Sequence, residues 1–255
     1  MTALSQLVVL AATVLVGLVS AQCELQPDWS IETAEGVEYK LLKTGLQRPR
    51  HLVVDTEGNL LVAESGLQGV RRLVLDDGEG LDVCVNSDEA LIANETVSTT
   101  TLGFLSCPQT DAECLIQLNH GIALTADGRT LLVSSPSEVY AYGYDASAGE
   151  VTSRRTVITG MDGTSTHSTR TLTIPLAANP NLLLVAGGSN GNLDAATVDM
   201  DVVRSQVRVF DIGELLSVDA PLEYGSAPVL GWGLRNSVGF AEDPTTGYIV
   251  CRPPC

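Results

Sequence analysis

Apolar residues in this chain come in runs of three to five, separated by polar turns, and the arrangement recurs. The first unit runs from Arg50 through Leu52-Val53-Val54, turns at Glu57-Gly58, and continues as Leu60-Leu61-Val62-Ala63. The second runs from Asn119 through Ile122-Ala123-Leu124, turns at Asp127-Gly128, and continues as Leu131-Leu132-Val133. A third runs from His167 through Thr171–Ile174 and Asn179-Pro180-Asn181 to Leu182–Val185, and a fourth from Arg235 through Phe240 and Asp243-Pro244 to Tyr248-Ile249-Val250. Short β-branched and aliphatic runs of this kind predict strands buried on both faces. Asp-Gly, Glu-Gly and Asn-Pro supply the turns between them.

Further strands are predicted at Val70–Leu75, Glu138–Tyr142 and Gln206–Phe210, which makes each unit a small antiparallel sheet. Gly58 and Gly128 lie 70 residues apart, and Gly128 and Gly247 lie 119 apart, a repeat of about 60–70 residues. No stretch shows the periodicity of a three-turn amphipathic helix. The pattern predicts an all-β chain and reads as blades of a β-propeller, about four of them.

The amino terminus departs from the pattern. Leu7–Val19 is an uninterrupted apolar run of 13 residues followed by Val19-Ser20-Ala21, small residues suited to a signal peptidase. The run is short for a membrane span, which needs about 20 residues. Residues 1–21 are therefore expected to be a secretory signal, and 22–255 the partial propeller. Six cysteines in an oxidising compartment suggest disulfides, with the pairing open and Cys107 and Cys114 placed to clip a loop. Asn94-Glu95-Thr96 is the one N-x-S/T sequon, an expected glycosylation site.

Charge excludes some partners. With 31 acidic against 14 basic side chains the formal net charge is −17. A phosphate backbone or an anionic bilayer needs a basic face, so neither nucleic acid nor membrane is an expected partner.

Four entry segments carry a more specific signal. Leu46–Glu64, Leu118–Val133, Thr166–Asp194 and Gly233–Val250 contain His167-Ser168-x-Arg170, then Gly188-Ser189-Asn190-x-Asn192, then Gly233-Leu234-Arg235-Asn236. In these motifs the chain resembles the fungal pyrroloquinoline-quinone-dependent pyranose dehydrogenases, relatives of sorbosone and soluble glucose dehydrogenases. The resemblance covers roughly residues 35–250. It implies a six-bladed propeller of which about four blades are present, with quinone and Ca²⁺ held at the central mouth. It also implies oxidation of a sugar hydroxyl or anomeric carbon, with electrons passed to a separate haem b cytochrome or other acceptor.

Carried over residue by residue, His167 matches the catalytic base, a role suited to a group titrating near working pH. Arg235 and Asn236 match the pair that grips the quinone. Arg50 and His120 begin the first two units and should face the same mouth as cofactor or substrate contacts. His51 is read as structural and Arg170 as a support for His167 or a packing neighbour. The aspartate that orients the base in soluble glucose dehydrogenases is absent from Gly187-Gly188-Ser189, with Asp194 a candidate substitute. The family draws calcium-binding carbonyls and further basic contacts from later blades, beyond Val250, so the metal ligands are not identified and the chain alone is expected to lack activity.

Two other functions suit a propeller. A gluconolactonase-type hydrolase would need Glu64, Asn119 and Asp194 to converge on one ion, and would leave the Arg235-Asn236 pair unexplained. A binding propeller without chemistry is the other, since fold does not fix function.

Overall fold

The computed structural model describes residues 25–78, 80–98, 113–152, 154–163 and 165–251. The expected signal segment and Cys23, Cys107 and Cys255 lie outside the described residues, as does the side chain of Cys114.

The first unit is a four-stranded antiparallel sheet of β1 (Pro49–Val54), β2 (Leu60–Glu64), β3 (Gly69–Asp77) and β4 (Val83–Ile92). A short hairpin follows, β5 (Thr96–Ser98) with β6 (Glu113–Leu115). The second unit comprises β7 (Ile122–Leu124), β8 (Thr130–Ser134), β9 (Val139–Asp145), β10 (Glu150–Val151) and β11 (Arg155–Thr159). The third comprises β12 (Leu172–Thr173), β13 (Leu182–Gly187) and β14 (Gln206–Asp211), a six-residue helix α1 (Ile212–Ser217), β15 (Leu222–Glu223) and β16 (Val229–Trp232). β17 (Phe240–Glu242) and β18 (Ile249–Cys251) form the two-stranded fourth unit.

The repeat and the all-β class are as the sequence predicts, with one correction. The units are not uniformly antiparallel and self-contained. β15 leaves the third unit and pairs in parallel with β11 as the outer strand of the second sheet, Ile158 opposite Leu222. Arg155 reinforces this clasp by donating to the carbonyl oxygens of Leu216 and Val218 at the end of α1.

Strand alternation explains why whole runs are apolar. Leu61 and Ala63 of β2 pack with Leu131 and Val133 of β8 between the first and second sheets. Leu132, one residue along, turns to the opposite face and joins Leu183 and Val185 of β13 between the second and third. Leu184 and Ala186 face the other way again, onto Phe240 and Ile249 of the fourth unit. Each of these strands is thus shared between two cores, so both of its faces are mainly apolar. A fully buried Leu contributes about 1.5–3 kcal/mol relative to an exposed one.

Small residues set the spacing of the sheets. A β-carbon on Gly121 would lie 2.0 Å from the Arg170 carbonyl oxygen and 2.7 Å from Leu172 Cγ. The first strands of the four units therefore approach closely, and residues of all four, His51, Leu124, Ile174 and Phe240 among them, line a common cleft of about 360 Å³. Buried polar groups tie the sheets together as well: Asp55 accepts from the Tyr144 hydroxyl at 2.7 Å and lies beside Arg72. Cys84 is disulfide-bonded and Cys251 is a free thiol.

Candidate functional site

The candidate residues sit where the chain enters the first strand of each unit. Arg50 is in β1, His120 precedes β7, His167 precedes β12, and Arg235 and Asn236 precede β17. The structure brings all five into one hydrogen-bonded network.

One half of the network centres on His167. Its Nδ1 lies 3.1 Å from the Ser189 carbonyl oxygen and 3.0 Å from Ser189 Oγ. The Ser189 amide in turn donates to the Arg235 carbonyl oxygen at 2.8 Å, so one residue ties the base candidate to the Arg235 segment. Gly188 makes this approach fit. A β-carbon there would lie 2.6 Å from the His167 carbonyl oxygen, 2.7 Å from His167 Cβ and 3.1 Å from the Arg235 carbonyl oxygen. Arg235 Nη1 reaches Asn192 Oδ1 at 3.5 Å, within the loop that follows Ser189.

Arg170 supports the base candidate from beneath. Its buried guanidinium donates to the carbonyl oxygens of His167 at 2.8 Å, Thr169 at 3.0 Å and Asp162 at 2.6 Å. Burial lowers its pKa to about 10, which still leaves a cation at neutral pH. Asp194 does not orient His167. Its carboxylate is taken by Arg204 Nε at 2.9 Å and the Asn190 amide at 2.7 Å, which holds it below the usual carboxylate range and braces the 190–194 loop.

The other half centres on His120, only 2% exposed. Its Nε2 lies 3.0 Å from the Val238 carbonyl oxygen and 3.1 Å from Thr171 Oγ1. Nε2 therefore carries the proton, and Nδ1 accepts from Arg50 Nε at 3.4 Å. Burial first, then the Arg50 cation and His51, pushes its pKa down to about 4. His51 stacks on it with ring centroids 6.0 Å apart. His120 is thus committed to protein partners, joining the first, second, third and fourth units at one ring. Arg50 itself is exposed at the end of this chain of contacts.

The halves meet through the 169–171 segment. Thr169 Oγ1 donates to Asn236 Oδ1 at 2.5 Å, and Thr171 Oγ1 donates to the Ser237 carbonyl oxygen. With its oxygen so engaged, Asn236 keeps an amide group to offer a ligand. Asn119 donates from Nδ2 to the Ser168 carbonyl oxygen at 3.0 Å, and its buried Oδ1 has no partner among the described residues. The site therefore presents guanidinium and amide donors around an imidazole, a set suited to a polyanionic or carbonyl-rich ligand.

A single-ion hydrolase site is not assembled. Glu64 is fully buried and held by Arg71 and the Gln47 amide, and Asp194 is held by Arg204. Among the described residues no three His, Cys, Asp or Glu side chains gather to hold a metal. Asn94 is exposed in the bend between β4 and β5. No helix among the described residues is long and apolar enough to cross a membrane.

Ser189 and Gly188, part of a motif in the sequence but given no role there, connect the His167 and Arg235 segments. The Gly187-Gly188 pair was the available signal, since paired glycines in a strand mark close backbone approach.

Comparison with known proteins gives this geometry a context. Residues 31–251 match the model of the TrAA12-like family. The chain is 40% identical over 218 residues to a pyrroloquinoline quinone-dependent sugar dehydrogenase of Hypocrea jecorina, covering 85% of this chain and 45% of that protein. It is similar to the calcium structure of the Trichoderma reesei carbohydrate-active enzyme of family AA12, at 40% identity and a TM-score of 0.71 over 85% of this chain and 48% of that one. It is also similar to the holo form of the pyranose dehydrogenase PQQ domain from Coprinopsis cinerea, at 34% identity and a TM-score of 0.71 over 88% and 48% of the two chains. The chain spans about half the length of these relatives or less.

Proposed function

The chain belongs to the TrAA12-like family, and from that premise we propose that it supplies part of the quinone site of a pyrroloquinoline-quinone-dependent dehydrogenase that oxidises a sugar hydroxyl or anomeric carbon. The observation that carries the reading is the linkage of His167 through Ser189 to the Arg235 segment, in one network with Arg50 and Asn236. It sits in about four blades of what we take to be a six-bladed propeller.

The donor set fits the cofactor. The quinone is a tricarboxylate with vicinal carbonyls, and Arg50, Arg235 and the free amide of Asn236 offer charge-assisted and neutral hydrogen bonds of the kind it would take. The quinone supplies the two-electron acceptor that no side chain can provide. What the chain's own residues do is more limited. His167 takes the proton of the sugar hydroxyl at Nε2, the ring nitrogen with no hydrogen-bond partner among the described residues. Arg170 and Gly188 hold its backbone in place, and His120 holds Arg50 toward the mouth without touching the ligand itself. Calcium requires oxygen ligands that the described side chains do not gather. We assign those to polypeptide beyond residue 251. The electron acceptor is taken to be a separate molecule such as a haem b cytochrome. Secretion, with residues 1–21 removed, is part of the same proposal.

The test is a chimera joining residues 22–251 to the unmatched remainder of the Hypocrea jecorina relative. Loaded with quinone and Ca²⁺, it should reduce a dye at the expense of aldoses. A folded chimera that takes up quinone yet oxidises no sugar would overturn the reading. The hydrolase alternative predicts lactone cleavage without quinone, and the separate commitments of Glu64 and Asp194 weigh against it.

A further inference from the structure

We infer that Ser189 is the positioning residue of His167: its two oxygens fix the imidazole as the Nδ1–H tautomer and leave Nε2 as the proton acceptor. This rests on the reading of His167 as a base, and it names the atom that acts and the residue that selects it.

The argument is one of proton accounting. A carbonyl oxygen can only accept. The Ser189 carbonyl oxygen lies 3.1 Å from Nδ1, so Nδ1 must be the donor. Ser189 Oγ lies 3.0 Å from the same nitrogen and, through its own proton, donates to the Gly191 carbonyl oxygen at 2.7 Å. With that proton spent, Oγ turns a lone pair toward Nδ1–H. Both Ser189 oxygens are thus acceptors for one N–H, and the opposite tautomer would set two lone-pair oxygens against a lone-pair nitrogen.

The cage is fixed from outside. The Ser189 side chain is buried, only 3% exposed. Its carbonyl oxygen also accepts from the Ser165 hydroxyl at 2.7 Å, and its amide is anchored on Arg235. The ring therefore cannot turn over without breaking both Nδ1 bonds to a fixed partner. Nε2 has no protein partner among the described residues, and the ring is half-buried rather than sealed. A sugar hydroxyl arriving at Nε2 meets a bare nitrogen lone pair.

The other central histidine gives a built-in contrast. His120 donates from Nε2 to the Val238 carbonyl oxygen and accepts at Nδ1 from Arg50. The two rings should hold opposite tautomers in one molecule.

Long-range ¹⁵N–¹H correlation spectra of the histidine-labelled chain read this directly, without quinone or sugar. The chain has only three histidines, which Asn or Gln replacements assign. At about pH 8, where imidazoles are neutral, His167 should show a protonated Nδ1 and a bare Nε2, and His120 the reverse. An Nε2–H tautomer at His167 in the unaltered protein would overturn the proposal.

Ser189→Ala should let the Nε2–H form appear at His167. In the active chimera it should lower kcat roughly two- to tenfold, the effect of one neutral hydrogen bond, with KM little changed. Ser189→Thr, which retains the hydroxyl, should restore both. Unchanged tautomer and kcat in Ser189→Ala would overturn the role given to the hydroxyl, and with it the proposal. The His120 signal reports folding. If Ser189→Ala loses it, Ser189→Cys, similar in volume but a weak acceptor, is expected to show the same mixing, and its absence there would be equally fatal. Because tautomers are read without turnover, an inactive chimera with the expected spectrum would refute the dehydrogenase reading and leave the Ser189 assignment standing.

Discussion

The Nδ1 of His120 accepts from Arg50 Nε at 3.4 Å across the seam between the first and second sheets, while its Nε2 donates to Val238 in the fourth unit. One neutral ring thereby fixes the relative placement of strands 118 residues apart in sequence. A protonated ring could not accept from Arg50 and would set a buried cation beside the exposed Arg50.

Acid should therefore loosen the structure. Burial lowers the pKa of His120 from 6.5 to about 4, so between these values the unfolded chain binds the extra proton. The linked stability is fully present above about pH 6.5 and falls as pH drops toward 4, by an amount of order 3 kcal/mol. His51, also lowered by burial, acts in the same direction. Thermal melts between pH 8 and 4 should show the fall, and His120→Gln should flatten it. A pH-independent melt over that range would refute this account.

Gly188 should tolerate no side chain. Its missing β-carbon would fall 2.6–2.7 Å from His167 atoms, and the opposing contacts are mainly backbone, which cannot swing aside. Gly188→Ala is expected to cost about 1–3 kcal/mol of stability, the usual penalty for overpacking. It should also displace His167, so that sugar oxidation in the chimera falls more than stability alone explains. Urea denaturation and turnover measured on the same variant check both.

How far the sequence revealed this arrangement depended on what carried each contact. Runs such as Leu60–Ala63 and Leu182–Val185 announced two-sided burial because both faces are covered, the first by the second sheet and by Leu42 and its own sheet's Leu73, the second by the sheets on either side. His167, Arg235 and Arg50 were legible as candidates because titratable and charged side chains stand out in a sequence. Ser189 was not, because it acts partly through a carbonyl oxygen that every residue possesses. Nor was the β11–β15 pairing, since Leu222-Glu223 is too short to show any periodicity. β4 was hidden by Asn86-Ser87-Asp88-Glu89. Its charges are held in part by Lys43, Arg71 and Arg72 rather than by alternation into a core.

The chain by itself should self-associate. Leu52 and Val54 on β1 and Leu230, Tyr248 and Val250 at the other end are each more than half exposed. These lie on sheet faces, where apolar exposure and unpaired edges invite pairing with other copies. Sedimentation velocity should show oligomers or aggregates, and the chimera should be monomeric. A monodisperse 26.8 kDa monomer would contradict this.

Asn94 should carry one glycan when the chain passes through a eukaryotic secretory route. It is exposed in a bend with φ of +55°, a backbone state asparagine accepts more readily than most residues. Treatment with an N-glycosidase should shift the mass by one chain, Asn94→Gln should abolish the shift, and the mature protein should begin at Gln22. An amino terminus at Met1 would refute secretion.

The roles of His167 and Arg235 should separate by what each variant loses. His167 meets the network through Nδ1, so truncating it removes the proton acceptor and leaves the Arg235 and Asn236 donors in place. In the chimera, His167→Ala should still take up quinone, and turnover should fall by roughly 10²–10⁴, the usual contribution of a positioned base. Arg235→Ala acts on binding instead. Its guanidinium reaches the Asn192 loop and offers charge to a carboxylate or carbonyl, so quinone uptake itself should weaken. Arg235→Lys should recover only part of it, since a point charge cannot reproduce a planar fork. Absorbance titration with quinone reads the first property and dye reduction by aldoses the second. Full turnover in His167→Ala would end the base assignment. Undiminished quinone affinity in Arg235→Ala would move the grip to Arg50, whose variant should then show the loss.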